Sequence, residues 1–374
     1  MTGIMQMLLA AIQAGEKFPL YVFGRNNVGQ LGLNDTNPRS SPTQLGTSTD
    51  WAQSAHGNGS SFAIKTDGTL WAWGLASSGQ LGLNSTINSS SPVQVGALTN
   101  WAQVSAAAIN TGAVKTDGTL WSWGAASSGR LGNNDTTTNI SSPIQIGALT
   151  DWVKVSLGGS FSTALKTNGT IWSWGGGSYG QLGINESLGF GNRSSPVQIG
   201  FLTNWAQVES GGTAAFARTT SNALYAWGRA GQGNTGQDDR ISRSSPTQVG
   251  GLTNWALVSA SGYFVMAIKT DGSLWSWGFD GNAGYLGLNT TTINRSSPTQ
   301  VGGLTNWAKL EHGPNAYNTA AIKTDGTLWC WGSNGAGELG TNDIVRRSSP
   351  VQIGSSTWTR ADTGFFITMA IEEG

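Results

Sequence analysis

The stretch Ala63-Ile64-Lys65-Thr66-Asp67-Gly68-Thr69-Leu70-Trp71-Ala72-Trp73 alternates in character around an Asp-Gly pair. A period of two marks β-strands, and Asp-Gly is the pair that a two-residue type I′ hairpin turn requires. The turn returns at Asp117, Asn168, Asp271 and Asp325, with Ser221-Asn222 in its place in one unit. Around it the pattern widens into a repeat. An aromatic-x-aromatic-Gly signature occurs seven times, ending at Gly24, Gly74, Gly124, Gly175, Gly228, Gly278 and Gly332, with spacings of 50, 50, 51, 53, 50 and 54.

Three further markers keep step with it. Ser-Pro-x-Gln recurs at Pro42, Pro92, Pro143, Pro196, Pro246, Pro298 and Pro350, and a lone tryptophan follows each, from Trp51 to Trp358. A Gly-x-Leu-Gly-like turn follows each aromatic pair, as in Gly29 to Gly32 and Gly79 to Gly82. A fixed period of this length means a repeat architecture. Each unit reads as four short strands: Pro-x-Gln-x, Trp-x-x-Val, Ala-x-Lys-Thr and Leu-Trp-x-Trp. Four strands in seven units predict an all-β, closed seven-bladed propeller of four-stranded antiparallel blades. The last unit stops at Gly374 without its aromatic strand, and Leu20 to Gly24 at the other end supplies it. Pairing the N- and C-terminal segments would seal the ring and remove its open edges. Both aromatics of each Trp-x-Trp pair share a strand face, so they and Cys330 are expected in the core.

Composition narrows the function. The 374 residues hold 20 basic and 20 acidic side chains, with no Lys/Arg run, so the field that nucleic acid or an anionic membrane would require is absent. One cysteine permits no intrachain disulfide, and two histidines, His56 and His312, leave little for a metal site or acid/base catalysis. No enzyme activity, cofactor or metal is expected. The Asn-Asp-Thr loops supply too few carboxylates for calcium and read as turn caps.

In its order of Asp67-Gly68, Trp73-Gly74, Gly79-Gln80-Leu81-Gly82 and Pro92 the chain resembles the regulator of chromosome condensation repeat family, over about Leu20 to Ile371. The resemblance implies a seven-bladed propeller. Exchange-factor members carry Gly-x-x-His in many repeats, but Gly57 to Ser61 and Gly158 to Ser162 have no histidine there, so no exchange-factor residue is assigned. The Leu-Gly-x-Asn-Asp-Thr and Arg-Ser-Ser-Pro-x-Gln loops resemble repeat proteins of bacteria and their phages.

Three sets of residues are candidates for binding. Arg39, Arg193, Arg243, Arg295 and Arg347 stand at one loop position in five consecutive units, an arc suited to an acidic partner or a carboxylate-bearing glycan. Against that, Asp35, Glu186, Asp238, Asp239 and Asp343 lie close enough to pair locally, and only the Arg295 loop has no acid. Loops that break the period offer Phe190, Tyr285 and Tyr317 for stacking on sugars. Residues 1–15 form the third candidate, a helix ahead of one propeller domain at 16–374, whose Ile4, Met5, Leu8, Leu9 and Ile12 on one side either pack on the propeller's own surface or dock into a partner as an anchor. It lacks a basic leader and is too short to span a bilayer.

The leading expectation is a non-catalytic structural propeller displayed on a phage virion or an extracellular surface, binding a virion or surface protein, or a glycan. The other expectation is a binding module, in the bacterial cytoplasm, that inhibits or regulates a protein partner through one propeller face. Neither nucleic acid nor a membrane span enters either one.

Overall fold

The computed structural model describes residues 17–186, 188–189 and 191–374; the expected helix at 1–15, with Ile4, Met5, Leu8, Leu9 and Ile12, lies outside the described residues. Seven four-stranded antiparallel sheets form a propeller. Blades 1 to 6 start at Trp51, Trp101, Trp152, Trp205, Trp255 and Trp307. Within a blade the chain runs from the inner, tryptophan-led strand outward to the Ser-Pro-x-Gln strand. Blade 7 joins the two ends of the chain. Its inner strands are Trp358–Gly364 and Ile367–Glu372, and its outer ones are Leu20–Gly24 and Arg39–Gln44. Leu20 pairs with Ile371 and Val22 with Met369, so the ring closes as the sequence predicts.

The repeated markers meet at the blade junctions. The second tryptophan of each pair is buried, and its indole N–H donates to a carbonyl in the Gly-x-Leu-Gly turn of the preceding unit. Trp73 reaches Gln30, Trp123 reaches Gln80 and Trp174 reaches Arg130; Trp227, Trp277 and Trp331 reach Gln181, Asn234 and Tyr285, all at 2.8–3.1 Å. The turn's last glycine is required by that contact, because a Cβ at Gly32, Gly82, Gly132, Gly183, Gly236 or Gly287 would lie 2.6–2.9 Å from the indole nitrogen. At the seventh junction Phe23 has no N–H. Thr368 Oγ1 and Asn318 Nδ2 donate to the Glu338 carbonyl instead, at 2.7 and 3.3 Å. The lone tryptophans complete the layer: Trp101 packs edge-on against Trp121 and Trp123 with ring centroids 5.9 and 6.0 Å apart.

Two expectations about local geometry need correction. The Asp-Gly hairpin is not a two-residue type I′ turn. Lys65 faces Thr69 across a loop of Thr66, Asp67 and Gly68, and only Gly68 has positive φ, at 79°. Asp67 keeps negative φ because its carboxylate accepts from the Thr69 amide and hydroxyl, which favours a type I turn followed by a left-handed glycine. At Ser221-Asn222 the asparagine takes the glycine's place at φ 63°. The first tryptophan of each pair is only half-buried. Trp71 and Trp121 give their indole N–H to Thr69 and Thr119, and Lys65 and Lys115 lie over their rings.

The two tryptophans of one strand therefore carry different loads. Trp123→Phe should lower unfolding free energy in urea by about 1–2 kcal/mol, because it takes the indole donor from the buried Gln80 carbonyl. Trp121→Phe, at a half-exposed edge, should cost less than about 1 kcal/mol.

Candidate functional site

The ring has two faces. The turn face carries the Asp-Gly hairpins and the links from outer to inner strands; the loop face carries the long connections between third and outer strands. Along the axis runs a cavity of about 300 Å³, walled by all seven inner strands. Side chains two and four residues after each lone tryptophan line much of it. Gln53, Gln103 and Gln207 stitch one inner strand to the next, each pairing with the amide and carbonyl of a valine in the following blade: Val104, Val155 and Val258. In three of the four blades that replace the glutamine, charge takes over, and the fourth has Leu257. Lys154 pairs with Glu209, Arg360 with Glu311 at 3.5 Å, and Lys309 Nζ donates to the Thr359 carbonyl at 2.7 Å.

Asp362, 5% exposed, also lines this cavity, and it forms no ion pair among the described residues. Burial holds its carboxyl well above the usual carboxylate range; Glu311 adds to the effect and Arg360 offsets it. His56 is buried and His312 half-buried with its Nε2 sealed, and burial pushes both down to about 3. Aligning the seven inner strands on their tryptophans would have exposed these channel residues in the sequence. Among the described residues no cluster of His, Cys, Asp or Glu is arranged to hold a metal.

The arginine arc is tied down. Arg39 pairs with Asp35 and Arg347 with Asp343, both at 2.6 Å, and Arg243 pairs with Asp239 at 2.7 Å. Arg193 pairs with Glu186. Short loops place each acid four or seven residues before its arginine, and the Arg243 guanidinium holds Asp239 down to about 2. Arg295 alone of the five forms no ion pair among the described residues. Tyr285 is not an exposed stacking residue but is 7% exposed, under Phe264 and beside Tyr317. Tyr317 is half-buried and stacks on Phe366 with centroids 5.1 Å apart. Phe190 lies outside the described residues.

The loop face carries an aromatic patch of which only Tyr285 and Tyr317 belong to the expected set. Tyr263, Phe279, Tyr285, Tyr317, Phe365 and Phe366 form a continuous chain of aromatic contacts across blades 5 to 7, with Arg25 over the Phe365 ring at 5.7 Å. Tyr263 is 45% exposed. Phe366 holds φ 60°, which costs a side-chain-bearing residue about 1 kcal/mol or more. The signal was present in the sequence as two adjacent aromatics in a turn where other units have Asn58-Gly59 or Gly159-Ser160.

Comparison with known proteins supplies the lineage. A family model described as the RCC1-like domain matches residues 19–316, and the regulator of chromosome condensation (RCC1) repeat matches residues 325–371. The probable E3 ubiquitin-protein ligase HERC4 of Homo sapiens is 29% identical over 57% of this chain, which spans only 20% of that protein's length. The mitochondrial RCC1 domain-containing protein RUG3 of Arabidopsis thaliana is 36% identical over 26% of this chain and 22% of its own length. Human WBSCR16 shares the fold with a TM-score of 0.84 at 20% identity, covering 96% of this chain and 99% of its own. Yeast RCC1 (Prp20), solved with Kap60, also gives 0.84, at 17% identity over 96% of this chain and 89% of its own. These relatives are eukaryotic, which overturns the expected bacterial or phage subgroup, and with it the virion and bacterial placements. The Asn-rich loops misled because they are structural: the amides of Asn34, Asn84 and Asn134 each donate to a serine carbonyl of the next Ser-Ser-Pro strand at 2.7 Å.

The buried histidines and Asp362 act on stability with opposite signs. Each histidine binds a proton near pH 6.5 when unfolded and only near 3 when folded, so its contribution is present above 6.5 and lost as pH falls toward 3. Burial raises the Asp362 carboxyl above its unfolded value, so its contribution is present at low pH and lost as pH rises through its raised folded value. Urea unfolding between pH 7 and 5 should show stability falling with acid. Asp362→Asn should steepen that fall by up to about 1.4 kcal/mol per pH unit. An unchanged slope would contradict these assignments.

Proposed function

Since the chain belongs to the RCC1-like domain family, we propose that this non-catalytic propeller is a binding module that regulates a protein partner by covering part of it with its loop face. The observation that carries this reading is the aromatic patch of Tyr263, Phe279, Tyr317, Phe365 and Phe366 with Arg25 beside it. Tyrosine and arginine dominate the energetic centres of protein interfaces, and aromatic rings offer large contact area at little entropic cost. The strained Phe366 supports a role for the patch, because strain that packing does not require persists where function uses it. Relatives point the same way: Prp20 is known in complex with Kap60, and Prp20p has binding properties to Gsp1p and histones. The four locally paired arginines of the arc are assigned to loop structure, and Arg295 to the rim of the same face.

Photocrosslinking distinguishes the two faces. A benzophenone amino acid at Tyr263 should capture a defined protein partner, and one at Phe201, 96% exposed on the turn face, should not. Tyr263→Ala with Phe365→Ala should then weaken binding of the captured protein at least tenfold without changing the melting temperature by more than a few degrees. Capture from Phe201 alone would overturn the choice of face.

A further inference from the structure

The axial cavity is a well, closed at one end. At the turn face the inner strands begin with exposed Ala206, Ala256 and Ala308; at the loop face they end in buried Gly57, Ala107, Gly158, Gly211, Ser261 and Gly364. The irregular segment 311–317 makes the floor. His312 bridges to Thr363, the Gly313 amide donates to the Thr363 carbonyl at 2.6 Å, and Ser261 Oγ donates to the Ala316 carbonyl at 2.6 Å. A Cβ on Gly313 would lie 3.0 Å from the carbonyls of both His56 and Thr363, so this loop of blade 6 reaches past blade 7 to blade 1.

The polar groups of the well are accounted for except at depth. Lys154 satisfies Glu209, and Arg360 reaches Glu311. Among the described residues Asp362 accepts only the backbone N–H of Thr363. The Ser61 hydroxyl donates to the Gln30 carbonyl at 2.8 Å, so it accepts from His56 Nδ1–H at 3.3 Å. That fixes the tautomer and leaves His56 Nε2, in a residue 1% exposed, as a lone-pair acceptor without a partner. The depth of the well thus lacks donors, and a cation seated there would favour the ionised form of Asp362, while Val104, Val155, Leu157 and Leu257 provide apolar wall. A metal ion does not suit it, because the other two carboxylates are committed to cations and no triad of ligands converges.

We propose that the well is a binding site for a primary alkylammonium group, its N–H donors directed to Asp362 and the His56 side and its chain lying along Leu257 and Val155. Either a free alkylamine or a lysine side chain presented by a protein carries this chemistry. The site opens opposite to the aromatic patch and does not depend on the function assigned there.

The test is calorimetric titration of the full chain with n-butylammonium, with Nα-acetyl-lysine N-methylamide, and with tetramethylammonium, which has the charge but no N–H. Saturable binding of n-butylammonium at least tenfold tighter than tetramethylammonium is expected, and Asp362→Asn should weaken it tenfold or more. Equal binding of the lysine amide assigns the site to a side chain; its exclusion assigns it to a free amine. Should n-butylammonium bind no better than tetramethylammonium to the unaltered protein, or equally well to a folded Asp362→Asn variant, the proposal is wrong.

Discussion

The hydrogen bond from a buried indole to the carbonyl of the preceding blade organises this molecule. A propeller blade cannot bury its own faces, so the contact between blades decides whether a ring forms. Each inner tryptophan supplies both a large apolar face and one donor, and the Gly-x-Leu-Gly turn before it supplies the carbonyl and a glycine thin enough to admit the ring. A neutral hydrogen bond contributes only about 0.5–1.5 kcal/mol net. Its structural weight is that a buried indole left unpaired would cost more, which fixes the rotation of each blade on its neighbour. The αL asparagines add a second tie of the same kind at the rim, from Asn34 to Ser90 and from Asn342 to Ser40 across the closing junction.

That constraint also explains where the chain is free to vary. Residues at the junctions repeat, whereas the inner-strand positions facing the axis and the turns at the loop face do not meet a neighbouring indole. Blades 5 to 7 use this freedom most. Blade 5 puts Leu257 where blades 1, 2 and 4 have glutamine. Blade 6 inserts the segment that floors the well, and blade 7 carries Asp362 and the Phe365-Phe366 pair. The departures from the repeat therefore gather on one side of the ring. Both the aromatic patch and the well draw on them, at opposite faces.

Much of the architecture was legible because it follows from spacing. The strands, the seven units and the loan of Leu20 to Gly24 to the last blade are consequences of periodicity, and the register confirms them. Whatever depends on a dihedral angle or on a neighbour distant in sequence was not legible. Asp67 and Gly68 fit two kinds of hairpin, and only the φ values separate them. The spacing of Asp239 and Arg243 allowed a local pair without deciding it, because the pairing depends on how a short loop folds back. The polar loops suggested a lineage, although the left-handed φ at that position is what selects asparagine there. Asp362 was overlooked because nothing in its local sequence shows that it faces an axis shared with Glu209 and Glu311.

The central claim is that six equivalent indole bonds join the blades into one cooperative ring. Hydrogen exchange of the indole N–H groups, followed by nitrogen-15 NMR, measures this directly. If the account holds, Trp73, Trp123, Trp174, Trp227, Trp277 and Trp331 will exchange only through global unfolding, with one common free energy, while Trp71 and Trp121 exchange far sooner. Inner indoles that exchange blade by blade with widely different free energies would show that the blades open independently and that the junction bond does not bind the ring together.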